Sequence, residues 1–165
     1  MKPRVLFIAP SAYVLSGLAT WLDYLEPGLE SRGWDMMVGL VEGPKHHRPQ
    51  RYLDVHRHTN WITIPCMTGT AEGRQQAVYN ALKETAPEIV VTVNMPDAIS
   101  GTQRFRNKTR QYPKLAMTVH GVQPDLFDDA RRYREVLDAV VCTNRLTCRL
   151  ARERGAIAEG RIHYA

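Results

Sequence analysis

The sequence predicts a three-layer, Rossmann-like α/β domain, with a mainly parallel sheet flanked by helices. Two observations carry this. Short, continuous apolar runs recur along the chain, the pattern of strands buried on both faces. Between them lie longer segments whose apolar residues recur at helical spacing. Strand and helix alternating in this rhythm imply right-handed crossovers and hence parallel neighbours. The chain has 165 residues, 44% of them hydrophobic, which suits one domain with a core of its own.

The first run is Val5-Leu6-Phe7-Ile8-Ala9. Leu18, Trp21, Leu22, Leu25 and Leu29 then form one stripe of a helix that Gly33 is placed to stop. Pro27 falls inside that helix and is expected to disturb its last turns. Met36 to Val41 reads as a second strand. From Glu42 to His58 the chain is polar, a long solvated loop with room for one helical turn. Trp61 to Ile64 is a short third strand, and Ala77, Val78, Ala81 and Leu82 mark the next helix face. Ile89 to Val93, largely β-branched, is a fourth strand. Asn94 is expected to cap the following helix, with Pro96 in its first turn. Leu115 to Val119 is a further strand. Asp125 is expected to cap a helix carrying Leu126, Phe127, Ala130, Tyr133 and Leu137. Ala139 to Cys142 is another strand, Asn144 caps a helix stopped at Gly155, and Arg161 to Tyr164 begins one more strand. The chain closes inside that strand, which reads as a cut before a following domain.

The net charge of +5 favours anionic partners without naming one. Cys66, Cys142 and Cys148 are odd in number and form no CxxC, so neither a disulfide framework nor a thiolate zinc site is suggested, and a reducing, cytoplasmic compartment fits. The apolar run near the N-terminus is too short for a signal segment and no stretch reaches membrane-spanning length, so any membrane contact would be peripheral, at the inner face. Basic runs at Arg104 to Arg110, Arg131 to Arg134 and Arg145 to Arg154 lack interleaved aromatic residues. Most of these charges read as solvated faces, Arg145 excepted, and no nucleic acid is expected.

In a parallel sheet of this kind, ligands bind beyond the carboxyl ends of the strands, so chemistry is sought in the loops there. The first such loop ends Ser16-Gly17 at the start of a helix. Gly17 would let backbone amides approach a phosphate, and the helix dipole favours the anion; the alternative is a helix merely capped by Ser16. Thr118-Val119-His120-Gly121 places a histidine at a strand end, with a glycine that allows a sharp turn or close approach. His120 can serve as base, hydrogen-bond donor or transition-state stabiliser, or it can simply be a loop histidine bonded to nearby backbone. Arg145, at a helix start after a strand end, can reach an anion in the crevice. His46, His47, His56 and His58 invite a metal reading, but apart from Asp54 nothing completes a ligand set, and a solvated loop fits better.

Together these segments resemble the N-terminal domain of a GT-B glycosyltransferase of the family-4, glycogen-synthase-like type. The resemblance rests on Arg4 to Pro10 with Ser16-Gly17-Leu18-Ala19, on Ala86-Pro87-Glu88-Ile89-Val90-Val91, on Leu115 to Gly121, and on Ala139 to Asn144 followed by a helix, Gly155 and Arg161 to Tyr164. Their order and spacing run through nearly the whole chain. The resemblance implies that residues 1–165 are a single acceptor-side domain, with the donor-binding C-terminal domain absent from this chain and needed in cis. It implies hexosyl transfer from a nucleotide-diphosphate sugar to a glycan, lipid or small-molecule acceptor, without a metal or other cofactor, and inactivity of this half alone. His120 would lie beside the transferred sugar. Ser16 and Gly17 would contact the donor diphosphate, although the family's usual Gly-Gly pair is Ser16-Gly17 here. Asn94, Gly121, Asn144 and Arg145 would line the cleft, and the loop over 42–58 would shape acceptor choice. The alternatives are a flavodoxin-like binding or regulatory module and a nucleotide-binding domain of another enzyme class. The first would want acidic residues after the first strand, where Pro10-Ser11-Ala12 supplies none; the second would want a glycine-rich first loop.

Overall fold

The computed structural model describes residues 2–10, 14–43, 48–93 and 95–165. Its strands are β1 (Arg4–Pro10), β2 (Asp35–Glu42), β3 (Trp61–Pro65), β4 (Ile89–Val93), β5 (Lys114–Val119), β6 (Ala139–Cys142) and β7 (Ile162–Tyr164). Its α-helices are α1 (Gly17–Glu30), α2 (Pro49–Leu53), α3 (Ala71–Thr85), α4 (Pro96–Thr109), α5 (Pro124–Tyr133) and α6 (Arg145–Glu153). The strands form one sheet in the order β3-β2-β1-β4-β5-β6-β7, and every pairing is parallel. The predicted α/β class is therefore the observed one. Chain direction across the sheet reverses between β1 and β4. At such a switch point successive crossovers leave on opposite faces, and a crevice opens at the carboxyl rim.

Alternation along each strand sends side chains into two layers. Leu6, Ile8, Val90, Leu115, Met117 and Val140 pack against residues of α3 to α6, including Val78, Leu82, Ile99, Phe105, Phe127 and Ala151. Val5, Phe7, Val38, Leu40, Val91 and Val93 pack against Leu18 and Leu22 of α1 and Tyr52 of α2. Each large side chain so buried contributes about 2 kcal/mol relative to exposure. The close approach of α4 to α3 depends on Gly101, where an added Cβ would lie 2.8 Å from the Val78 side chain and 2.9 Å from the Gln75 carbonyl. Among the described residues no helix is long and apolar enough to cross a membrane.

The helix ends follow local chemistry. Ser16, Thr70 and Asn144 cap their helices by side-chain acceptance, and α1 is closed by Gly33, at φ +82°, with the Trp34 amide returning to the Leu29 carbonyl at 3.0 Å. One expected cap, Asp125, is displaced. Pro96 and Pro124 open α4 and α5, so Met95 and Gln123 occupy the cap positions, neither with a side-chain bond. Asp125 sits instead in the first turn of α5, where its charge faces the positive end of the helix. Asn94 lies outside the described residues. Pro27 is carried within α1.

Polar buttresses gather at the amino ends of the strands. The Arg4 guanidinium bonds Asp35 at 2.6 Å and the Thr85 carbonyl at 2.9 Å, while its amide is held by Glu88. Arg106, expected on a solvated face, instead reaches the carbonyls of Pro113 and Val136 and the Asp138 carboxylate at 2.6 Å. The Leu115 amide, Arg106 and Lys114 bond the same carboxylate. They hold its pKa below the usual carboxylate value, against the opposing effect of burial, which is the largest single influence.

The stretch before β3 is not the solvated loop that its composition suggests. His56 and His58 are 6% and 7% exposed, and both pack on Tyr52. His56 Nδ1 meets Asp23 of α1 at 2.7 Å, and its Nε2 meets the Val14 carbonyl. His58 Nδ1 meets Glu26 at 2.9 Å, and the other Glu26 oxygen accepts from the Thr59 amide at 2.8 Å. Buried polar groups require partners, and α1 supplies them. His46 and His47 lie outside the described residues.

Candidate functional site

The carboxyl rim collects most of the candidates. Ser16 Oγ accepts from the Ala19 amide at 3.2 Å, and the Ser16 carbonyl accepts from the Thr20 amide. The second of these is the first regular bond of the helix, so among the orphan donors of α1 the cap meets the Ala19 amide. Those of Gly17 and Leu18 have no partner among the described residues. Among the described residues nothing lies within 4 Å of a Cβ built on Gly17, and its φ is not in the left-handed region. Neither packing nor backbone conformation thus demands glycine at this helix start. What the missing side chain does provide is open access to a positive helix end.

His120 follows directly on β5. Its ring meets Trp21 of α1 edge to face, with centroids 4.8 Å apart and planes at 72°, and Trp21 in turn meets Phe7 of β1 at 6.1 Å. Trp21 is one helical turn beyond Gly17, so α1 joins the first loop and the end of β5 into one wall. The histidine's Nε2 is shut from solvent and has no hydrogen-bond partner among the described residues. No described backbone group satisfies it, which speaks against a loop histidine bonded to nearby backbone. An orphaned buried nitrogen is costly, and such atoms concentrate where a ligand completes the bonding. Burial lowers the imidazole pKa to about 4, so the ring is neutral near pH 7 and presents a hydrogen-bonding nitrogen rather than a charge.

Gly121 has ordinary backbone angles; a Cβ there would meet only the mobile end of the Gln123 side chain. Gln123 lines a cleft of about 280 Å³ between the loops after β4 and β5, with Thr92, Met95, Ile99, Asp125 and Asp129. Burial, then the neighbouring Asp125, raises the Asp129 carboxyl pKa above its usual value. Asn144 is committed to its cap, accepting from the Thr147 amide at 2.8 Å. Arg145 is not brought to His120. It lines a groove with residues of α6 and β7, including Cys148 and Ile162, which pack in the layer on the sheet face away from α1. Among the rim features, sequence reading missed the role of Trp21, placed only on an apolar stripe, and the acidic cleft. Gln123, three residues after His120, was the available pointer to the second.

No protein-family model matches the chain, and no curated protein matches it in sequence. Solved structures match its fold. A glycosyltransferase from Rickettsia africae ESF-5 aligns with a TM-score of 0.67 and 16% identity, over 99% of this chain and 42% of that one. The lipopolysaccharide outer core galactosyltransferase WaaB, in its apo form, gives 0.68 and 15% over 96% of this chain and 44% of that one. UDP-GlcNAc 2-epimerase from Methanocaldococcus jannaschii gives 0.59 and 14%, over 99% of this chain and 45% of that one. The chain has the Rossmann-like fold of a GT-B half-domain, and it spans less than half the length of these structures.

Proposed function

We propose that this chain is the acceptor-side half of a nucleotide-sugar-dependent glycosyltransferase, cytoplasmic and completed by a donor-binding domain in cis. The observation that carries the reading is the Trp21–His120 contact, which sets an unsatisfied histidine nitrogen and an open helix N-terminus on one wall at the rim. Glycosyl transfer from a nucleotide diphosphate develops negative charge on the leaving diphosphate and positive charge at the sugar carbon. The amides of Gly17 and Leu18, without a partner among the described residues, suit the first. A neutral His120 suits a hydrogen bond to the transferred sugar that orients it without repelling the cationic centre. The cleft beside Gln123, with carboxylates and a hydroxyl over an apolar floor, suits a polyhydroxylated acceptor. Neither feature encloses a nucleotide, so the half alone is inactive. The family-4, metal-independent, hexosyl-transferring form of this reading rests on the sequence resemblance.

The test is His120→Ala in the intact two-domain protein. A hydrogen bond made chiefly in the transition state contributes on the order of a hundredfold in rate. Turnover should fall by about that factor while the melting temperature holds or rises, because an orphaned polar atom has been removed. An unchanged rate removes His120 from the site. A second reading follows from the fold shared with the epimerase: the same wall could serve nucleotide-sugar epimerisation. Release of nucleoside diphosphate that depends on an added acceptor supports transfer, and acceptor-independent sugar inversion supports the epimerase.

A further inference from the structure

We propose that the groove between α6 and β7 is a phosphate-binding site, distinct from the rim site and independent of the function proposed above. The groove encloses about 270 Å³. Arg145, Arg149 and Arg152 line it from α6, at spacings of four and three residues that place all three on one stripe of the helix. Ile162 and Tyr164, two residues apart on the edge strand β7, line the opposite side. Among the described residues Glu159 is the only acidic one lining it. It reaches Arg152 at 3.8 Å, between side chains that are 52% and 85% exposed, a pair that an incoming anion can readily displace. Arg145 and Arg149 have no hydrogen-bond or ion-pair partner among the described residues.

The arginines elsewhere make this arrangement informative. Arg4, Arg74, Arg106 and Arg161 each bind carboxylates or backbone carbonyls and have structural work. Arg145 and Arg149 have none, yet share a concave site with a tyrosine ring that is 68% exposed. Paired guanidinium forks match the oxygens of a phosphate, whose higher charge suits two cations better than a single carboxylate does, and the ring offers an apolar surface for whatever carries it. A groove of this volume fits a single phosphorylated group. That group can belong to a free phosphorylated metabolite or to the headgroup of an anionic lipid, and the exposed Leu146 beside Arg145 would suit the latter.

Two probes separate the sources: inorganic pyrophosphate, and vesicles of phosphatidylglycerol in phosphatidylcholine. Titration calorimetry of the chain with pyrophosphate should show one site, and Arg145→Gln and Arg149→Gln should each weaken it about tenfold, the loss of one charge-assisted bond. The control pair Arg131→Gln and Arg132→Gln on α5 makes the same charge change and should leave the affinity within about twofold, since these charges lie outside the groove. Circular dichroism verifies that the variants fold. Pyrophosphate binding without vesicle binding identifies a free phosphorylated ligand; vesicle binding that pyrophosphate competes away identifies a headgroup. Absence of both, or equal loss in the control pair, overturns the proposal. So does tighter capture of a single-stranded oligonucleotide that depends on the same arginines, which would assign the groove to nucleic acid.

Discussion

The Trp21 and His120 rings touch edge to face at 4.8 Å although α1 and the end of β5 lie 99 residues apart in sequence. Trp21 removes the imidazole from water, and desolvation sets its protonation. His120 should titrate with a midpoint near 4 rather than near 6.5, as read from its ring-proton shifts by NMR. The sign for stability follows. The folded value lies below the unfolded one, so folding loses stability as pH falls from about 6.5 towards about 4. Trp21→Ala should move the midpoint back up and shrink that loss. A midpoint unaffected by the change would show that Trp21 does not control the ring.

Gly17→Ala separates a structural from a ligand-facing role. The position is helical, sterically open and not left-handed. Alanine should therefore leave stability unchanged or raise it by about 0.5 kcal/mol. If a diphosphate approaches the helix-start amides, the added methyl should weaken donor binding in the intact protein severalfold or more. Thermal melts and donor titration on the same variant check both halves, and equal donor affinity would remove the helix end from the site.

Glu26 is 8% exposed and receives bonds from both His58 and the Thr59 amide. Glu26→Ala strands the buried His58 ring nitrogen and leaves the part-buried Thr59 amide without its acceptor, and should cost about 2 kcal/mol in denaturant unfolding. A cost below about 1 kcal/mol would mean that water replaces the carboxylate at little penalty.

Most of the fold was legible because the core strands are unbroken apolar runs, and because handedness leaves few ways to connect them. The cap error at α5 came from ranking the polar Asp125 above Pro124, which fixes the first helical position before any cap is chosen. His56 and His58 were misread for a different reason. Their partners, Asp23 and Glu26, lie 33 and 32 residues upstream on the polar flank of a helix. No local pattern reports a carboxylate that becomes accessible only after β2 has returned the chain to α1. His120 was visible as a strand-end residue, but its lack of a partner is a property of packing. Arg149 was grouped with Arg106 as solvated charge, while Arg145 was set apart by its place at a helix start, and only their neighbours show what each does.

The placement of the Arg4 and Arg106 buttresses has a mechanical consequence. Both tie strand starts to helix or loop carbonyls, so the domain is braced along its floor by partly buried guanidinium groups, whereas Gly17, His120 and Gln123 sit at the opposite end. A guest entering there can reshape the rim without unfastening the frame. The entropic toll of ordering then falls on a few loop residues rather than on the whole sheet.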